Sequence, residues 1–302
     1  MQEPWPVPDN PERRTAGQNA DAFRCRTARS VGATESGGIW DMDRALAMAF
    51  VRTHGTALAR AHLARLCGDA SLVPEARRIL AGEQRSDGGW APPWAPDASS
   101  VDATCFRLAQ AEQAGLRHDA FVRRATAFLA ARQHTDGYVE EDATLAFAAP
   151  PWATPGDMQA RIYLTANAGY CLNALGGDSG SVTRAVAWLR SRVPADGHLP
   201  SFLHAHWLAA GLLHGAGAGD VAARIMTYLD GRLDDLEPSH LAWLLVTLRG
   251  AGVAPDAPLL AGAMTRLAAR QELDGRWPSE DGPAQDAGVT LEALRALAGY
   301  DA

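Results

Sequence analysis

Residues Gln84 to Gly115, QRSDGGWAPPWAPDASSVDATCFRLAQAEQAG, carry a layout that recurs along the chain. Gln84 ends an apolar-periodic helix. Asp87-Gly88-Gly89 forms a turn in which glycine supplies positive φ, and Trp90 can pack back over the helix end. After a Pro-rich crossing, Asp97 to Asp102 starts a second helix that runs to Gly115. Echoes occur at Gln133-His134-Thr135-Asp136-Gly137-Tyr138 and Gln271-Glu272-Leu273-Asp274-Gly275-Arg276-Trp277, and a form without the Gln at Ala195-Asp196-Gly197-His198.

Working outward, apolar spacings of three and four dominate, as in Leu46, Phe50 and Leu58, Leu63, Leu66, and β-branched alternation is scarce. An all-α protein follows. Gly68, Gly115, Gly176, Gly217, Gly252 and Gly299 read as helix-ending glycines, spaced 47, 61, 41, 35 and 47 residues apart. Thirteen residues before them lie Gly55, Asp102, Tyr163, His204, Ser239 and Asp286, and in five of the six segments a turn, Pro or capping signal lies at or a few residues before that position. Six largely apolar helices result, and between them lie six with more polar faces, near 41–53, 73–84, 119–133, 180–192, 219–233 and 257–271. One helix pair per repeat predicts an inner ring of parallel helices within an outer ring. On this reading Asp102, Tyr163, His204, Ser239 and Asp286 share one level near one rim. The longest interval holds an insertion, Val139 to Pro155.

Composition limits the function. The net charge is −7, and all 28 basic residues are arginine, with no basic run, which argues against nucleic acid. Cys25, Cys67, Cys105 and Cys171 lie far apart without a C-x-x-C pair, so free buried thiols in a reducing cytoplasm are expected. No apolar stretch reaches the roughly 18 residues of a membrane span, and the N-terminus lacks a leader's apolar core. Residues 1–19 are expected to form an arm, and 20–302 a single domain.

The form Q-x-x-D-G-G-W resembles the QW repeat of the terpene cyclase and protein prenyltransferase superfamily, whose members are toroids of paired helices. That resemblance implies an (α/α)6 toroid, the architecture the glycine count also suggests. In such a fold these motifs chiefly staple outer helices to turns, so chemistry is sought at the barrel mouth. There Ser100-Val101-Asp102-Ala103-Thr104 resembles the D-x-D-D-T motif of class II terpene cyclases, whose middle Asp protonates an alkene or epoxide. Asp102 and Thr104 are kept, and Ser100 and Ala103 replace the flanking acids. Asp102 reads either as that acid or as a helix N-cap.

Asp286 and Asp157 read as caps, with Asp286 alternatively facing Asp102 to tune it. His204, His206 and His240 lie at inner-helix starts and are candidates for polarising a carboxyl or accepting a proton. Phe106, Tyr163, Tyr170, Trp207 and Trp243 are core filler singly, but together suggest an apolar chamber with π faces for a carbocation. The insertion is expected to be a lid that buries Leu145, Phe147 and Trp152, with packing on the N-terminal arm or peripheral docking on a membrane as its other readings. The prenyltransferase zinc motif D-x-C finds only Asp102-x-x-Cys105, and Asp234-Asp235-Leu236-Glu237-Pro238 does not complete the magnesium motif D-D-x-x-D, so neither metal nor cofactor is expected.

The sequence therefore favours a cyclase of isoprenoid or other lipophilic natural-product metabolism, an isomerase or lyase, with Asp102 as acid. Two alternatives stay open: a non-catalytic binder of a lipophilic molecule or partner subunit, and a cyclase that only shapes its substrate. Class II cyclases normally add a second helical domain, so a partner domain or protein completing the site is a further expectation.

Overall fold

The computed structural model describes residues 42–298. The expected N-terminal arm, Cys25 and Gly299 fall outside them. Twelve α-helices occur among the described residues, with no strand: α1 Arg44–His54, α2 Ala57–Leu66, α3 Val73–Glu83, α4 Val101–Gln113, α5 Ala120–Ala131, α6 Met158–Ala174, α7 Ser179–Arg190, α8 Leu203–Gly215, α9 Gly219–Asp230, α10 Pro238–Gly250, α11 Pro258–Ala268 and α12 Asp286–Leu297. These are the helices the glycine count implies.

The even-numbered helices form a closed ring. Each packs on the next, and α12 packs on α2. Outside them, α1 packs on α12 and α2, α3 on α2 and α4, α5 on α4 and α6, α7 on α6 and α8, and α11 on α10 and α12, while α9 lies on α8 and α11. The protein is an α/α toroid. Sequence character follows position, because an outer helix has one face to bury and an inner helix has several. Thus α9 buries Val221, Ala222, Ile225 and Leu229 along one stripe, whereas α8 buries eight of its thirteen residues.

The inner helices run parallel. Tyr163 meets His204 while Tyr170 lies beside Gly211, and His204 meets His240 while Gly211 lies beside Thr247. Three Gln side chains fix the outer ring to these turns. Gln84 donates to Gly88 O and Phe121 O (2.8 and 2.9 Å), Gln133 to Gly137 O and Ser181 O (3.0 and 2.9 Å), and Gln271 to Gly275 O and Asp43 O (2.9 and 3.0 Å). The last pair joins α11 to α1 and closes the outer circuit. At Gly88, Gly137, Gly197 and Gly275, φ lies between 78° and 98°, and a Cβ there would lie within 2.6 Å of the backbone of the neighbouring outer helix. Only glycine admits both the turn and the approach.

After each turn a buried amide needs an acceptor, and the next inner helix supplies it. Trp90 N–H donates to Thr104 Oγ1 (3.1 Å), Val139 N–H to Thr165 Oγ1 (2.8 Å) and Trp277 N–H to Thr290 Oγ1 (3.0 Å). In the repeat lacking the Gln, Leu199 N–H donates to His206 Nε2 at 3.1 Å. Thr104 and His206 are therefore structural, and the acceptors set a register. Two residues before them stand Asp102, Tyr163, His204 and Gly288. This corrects the expected level at two places. Gly288, not Asp286, is the counterpart on α12, and the His204–His240 ring contact (5.0 Å) brings His240 rather than Ser239 to that level.

Thr165→Val is expected to leave the Val139 amide buried without an acceptor and to cost about 1–3 kcal/mol in denaturant unfolding. An unchanged midpoint would refute the structural role given to these threonines.

Candidate active site

The N-cap of α4 is Ser100, whose Oγ accepts Ala103 N–H at 3.2 Å. Asp102 is thereby freed from capping and turns into the ring. The residue is 9% exposed, and its two carboxyl oxygens accept from Tyr163 O–H (2.7 Å) and Trp152 Nε1–H (3.1 Å). Asn167 Nδ2 donates in turn to the Tyr163 oxygen at 3.3 Å. Burial pushes the Asp102 pKa up, and the Tyr163 and Trp152 hydrogen bonds pull it down, with the net shift upward.

Behind Asp102 lies a carboxyl that sequence reasoning missed. Glu141, 3% exposed, accepts Ser100 Oγ–H (2.6 Å), Asp102 N–H (3.0 Å) and Val101 N–H (2.8 Å). It satisfies the free amides at the start of α4, where the helix dipole favours an anion. Burial nevertheless pushes its pKa to about 7, against three hydrogen bonds and with the Asp102 charge adding to the rise. A signal for it was present. Ser239 Oγ donates to Glu280 with the same sequence separation of 41 residues, and both acids follow a Q-x-x-D-G turn.

The insertion carrying Glu141 is pinned at its base. Glu140 accepts Gly156 N–H (3.0 Å) and Arg161 Nε–H (2.8 Å), and lies 3.1 Å from His134 Nε2. From this base the loop places Trp152 against Asp102 and buries Leu145. Phe147, expected to be buried as well and a candidate substrate contact, is instead 91% exposed. It stands where the loop turns outward between two 3₁₀ turns, Ala143–Leu145 and Pro151–Ala153.

Around the ring from Asp102 the wall is aromatic. The His204 ring centroid lies 6.4 Å from Tyr163, 4.9 Å from Trp207, 5.0 Å from His240 and 5.6 Å from Trp243. Burial and the neighbouring His240 push the His204 pKa down to about 3, so its imidazole is neutral. Burial also lowers His240, although Glu280 opposes the shift. His240 Nδ1 accepts Glu237 N–H at 3.4 Å and Nε2 faces Glu280 Oε1 at 3.4 Å.

Trp207 is buried, whereas Trp243 is 36% and Phe106 51% exposed. Phe106 stands one turn below Asp102 on a helix whose other faces pack on α2, α3, α5 and α6, so it faces the interior of the ring. Tyr170 lies two turns below Tyr163, its ring beside Gly211 and its O–H on Thr247 O at 3.2 Å. Across the rim Gly288 has open space where a side chain would be.

Asp286 belongs to neither group. Its carboxyl accepts Ser279 N–H at 2.8 Å and lies 3.6 Å from the Arg276 guanidinium, so it ties down the preceding loop instead of capping α12 or hydrogen-bonding Asp102. Asp157 caps α6 as expected, accepting Ala160 N–H at 2.9 Å. Cys105 and Cys171 are buried, while Cys67 is exposed.

No family model matches the sequence, and no curated protein matches it. Solved structures do match the fold. A protein from Actinoplanes superposes with a TM-score of 0.56 at 20% identity, covering 80% of this chain and 88% of that one. The type II terpene cyclase MstE from Scytonema, in complex with its product merosterolic acid A, gives 0.55 at 17% identity, covering 83% and 85%. MstE in complex with its substrate geranylgeranyl dihydroxybenzoate gives 0.55 at 16%, covering 83% and 87%. The fold is terpene cyclase-like. Within this terpene cyclase-like toroid no helix of the described residues is long and apolar enough to cross a membrane.

Glu141 gives the site a measurable pH signature. Its pKa is raised on folding from 4.5 to about 7, so the folded chain holds that proton more tightly than the unfolded chain. The stability it contributes is complete below about pH 4.5 and is lost as pH rises through about 7, by up to about 3 kcal/mol. Thermal unfolding between about pH 5 and 8 should show this fall, and Glu141→Gln should flatten it. Parallel curves for the two proteins would show that Glu141 is ionised throughout.

Proposed function

We propose that this chain is a type II, acid-initiated cyclase that closes rings in a polyene or its epoxide inside the toroid, with Asp102 as the proton donor. The observation that carries the reading is the environment of one carboxyl group. Asp102 is buried, which raises its pKa, and each oxygen already faces a donor, Tyr163 O–H or Trp152 N–H. Such an acid holds its proton more tightly than an exposed aspartate, and its conjugate base meets prearranged donors as the proton leaves. Glu141, one hydrogen bond from the Asp102 amide, takes the place of the flanking carboxylates absent from the motif.

In this mechanism the Asp102 O–H bond breaks and its proton forms a C–H bond at the terminal alkene, or an O–H bond as the epoxide C–O bond opens. The electron pair stays on the carboxylate. The remaining double bonds attack in turn, and the travelling cation passes the faces of Phe106, Tyr163, Trp207 and Trp243. His204, neutral at working pH, accepts the final proton as a new double bond forms and passes it to solvent, which returns a proton to Asp102. Trp152 roofs the acid and excludes water from the cation. The neighbour MstE has been captured with geranylgeranyl dihydroxybenzoate, so prenylated aromatic acids and polyprenyl epoxides are the first substrates to supply.

Asp102→Asn should lower turnover by about 10²–10⁴-fold or more and spare ligand binding. Turnover that survives this change would leave the toroid as a binder or a shaping cyclase. Since the acid must carry its proton, kcat should fall as pH rises past the raised Asp102 pKa.

The roof separates into two functions. Trp152→Phe removes the N–H donor and keeps the cover, so it should lower kcat without new products. Trp152→Ala opens the cover and should yield hydroxylated, water-quenched products. Identical product profiles for the two variants would remove Trp152 from the proposed chemistry.

A further inference from the structure

Below the acid, side chains bridge the inside of the ring, and the first bridge is Tyr170. Tyr163 and Tyr170 on α6, His204 and Gly211 on α8, and His240 and Thr247 on α10 are each seven residues apart, so each pair shares one face of its helix. The upper members meet at the candidate site, where His204 contacts both Tyr163 and His240. The lower members meet in the same way. The Tyr170 ring lies over Gly211, and its O–H donates to Thr247 O at 3.2 Å. Tyr170 thus starts on α6, passes in front of α8 and ends on α10. At 1.5 Å per residue it crosses about 10 Å below the level of the acid.

Two glycines clear the way for this one side chain. A Cβ on Gly211 would lie 3.1 Å from the Tyr170 ring, and a Cβ on Gly250 would lie 2.9 Å from its hydroxyl oxygen. Both are helical and neither has a positive φ, so the backbone at these positions does not call for glycine. Glycine weakens a helix relative to alanine, and the space gained here is filled by Tyr170.

A second bridge covers the other half of the ring. Gln113, eleven residues below Asp102 on the same face of α4, donates to Glu292 of α12 at 2.6 Å, and Arg295 holds that carboxylate at 2.7 Å. Since α2 stands between α4 and α12, this contact passes in front of it. Tyr170 spans α6, α8 and α10, and Gln113 with Glu292 spans α4, α2 and α12. Every inner helix is therefore crossed. Above the crossing the wall is open: Phe106 faces the ring interior and Trp243 touches His204, yet both keep exposed ring surface.

We infer that Tyr170 is the floor of the chamber and the residue that sets how long a chain the chamber accepts. The inference rests on the cyclase reading for the nature of that chain. Ring closure requires the polyene folded on itself; a folded farnesyl chain fills the depth between Asp102 and Tyr170, and a geranylgeranyl chain, one isoprene unit longer, meets the phenol ring.

The test is a tryptophan-fluorescence titration of the full chain with geraniol, farnesol and geranylgeraniol, run beside turnover of their terminal epoxides. Each added isoprene unit buries more apolar surface, so wild-type affinity should rise by about tenfold or more from geraniol to farnesol and rise no further at geranylgeraniol. Tyr170→Phe loses the O–H but keeps the ring, and should keep that limit. Tyr170→Leu fills the joint with α8 without reaching α10, and should bind geranylgeraniol at least about tenfold more tightly than wild type does. Tyr170→Ala should do the same, with circular dichroism reporting that both variants are folded. Geranylgeraniol bound more tightly than farnesol by wild type, or one limit shared by wild type, Tyr170→Leu and Tyr170→Ala, would overturn the floor even where the epoxides are cyclised. Failure of all three alcohols to bind would overturn the chamber and the floor with it. The expected limit, released by shortening Tyr170, with no epoxide turned over would sink the cyclase reading and leave Tyr170 as the floor of a binding chamber.

Discussion

Six parallel helices closed into a ring place six amino ends on one rim and six carboxyl ends on the other. Each helix end carries roughly half a unit charge, so the ring is polarised along its axis before any side chain is considered. The side chains answer that field. Glu141 meets the free amides of α4, and Glu280 and Asp286 lie in the same rim layer. At the other rim, arginines reach the last carbonyls: Arg249 to Ala296 O and Ala298 O, Arg117 to Ala174 O and Arg44 to Leu297 O. The amino-end rim thus favours carboxylates, and the carboxyl-end rim favours cations.

Much of the fold was legible because the repeat is enforced by backbone chemistry. A helix needs an exit, a positive-φ glycine provides it, and the Gln and Thr partners recur for the same reason in three of the repeats. The rim was less legible, since register at a helix start depends on which side chain caps it. Ser100 caps α4 and frees Asp102, which composition could not decide. Gly288 replaces Asp286 as the inward residue because the loop before α12 is tied through Asp286 itself. Glu141 escaped notice because it reaches α4 from a loop 39 residues on, and the shared 41-residue spacing from a helix-start serine to an acid takes on meaning once the chain is packed.

Desolvation and hydrogen bonding oppose one another at Asp102, and their order decides the chemistry. Were the two donors dominant, the group would be a resting carboxylate with nothing to give. Burial outweighs the two donors, so Asp102 holds its proton more tightly than an exposed aspartate does. The donors at the same time lower the cost of the anion, the balance that the proposed role as an acid requires. Glu141 adds to this balance. Burial lifts its pKa to about 7 and the Asp102 charge adds to the rise, so a proton on either carboxyl eases ionisation of the other.

The insertion resolves a difficulty that a one-ring architecture creates. The carbocation of the proposed reaction needs walls on every side, and a barrel by itself is open at the mouth. Here the loop between α5 and α6 returns across the rim, fixed by Glu140 at its base, buried through Leu145 and ended over Asp102 by Trp152. The same short segment thus delivers a roof, one of the acid's two donors and, through Glu141, the carboxylate beneath it. Because these three functions sit on one pinned loop, displacement of the loop would disassemble the acid and open the chamber together. On the proposed mechanism, protonation is thereby confined to the closed arrangement, in which the roof keeps water from the cation.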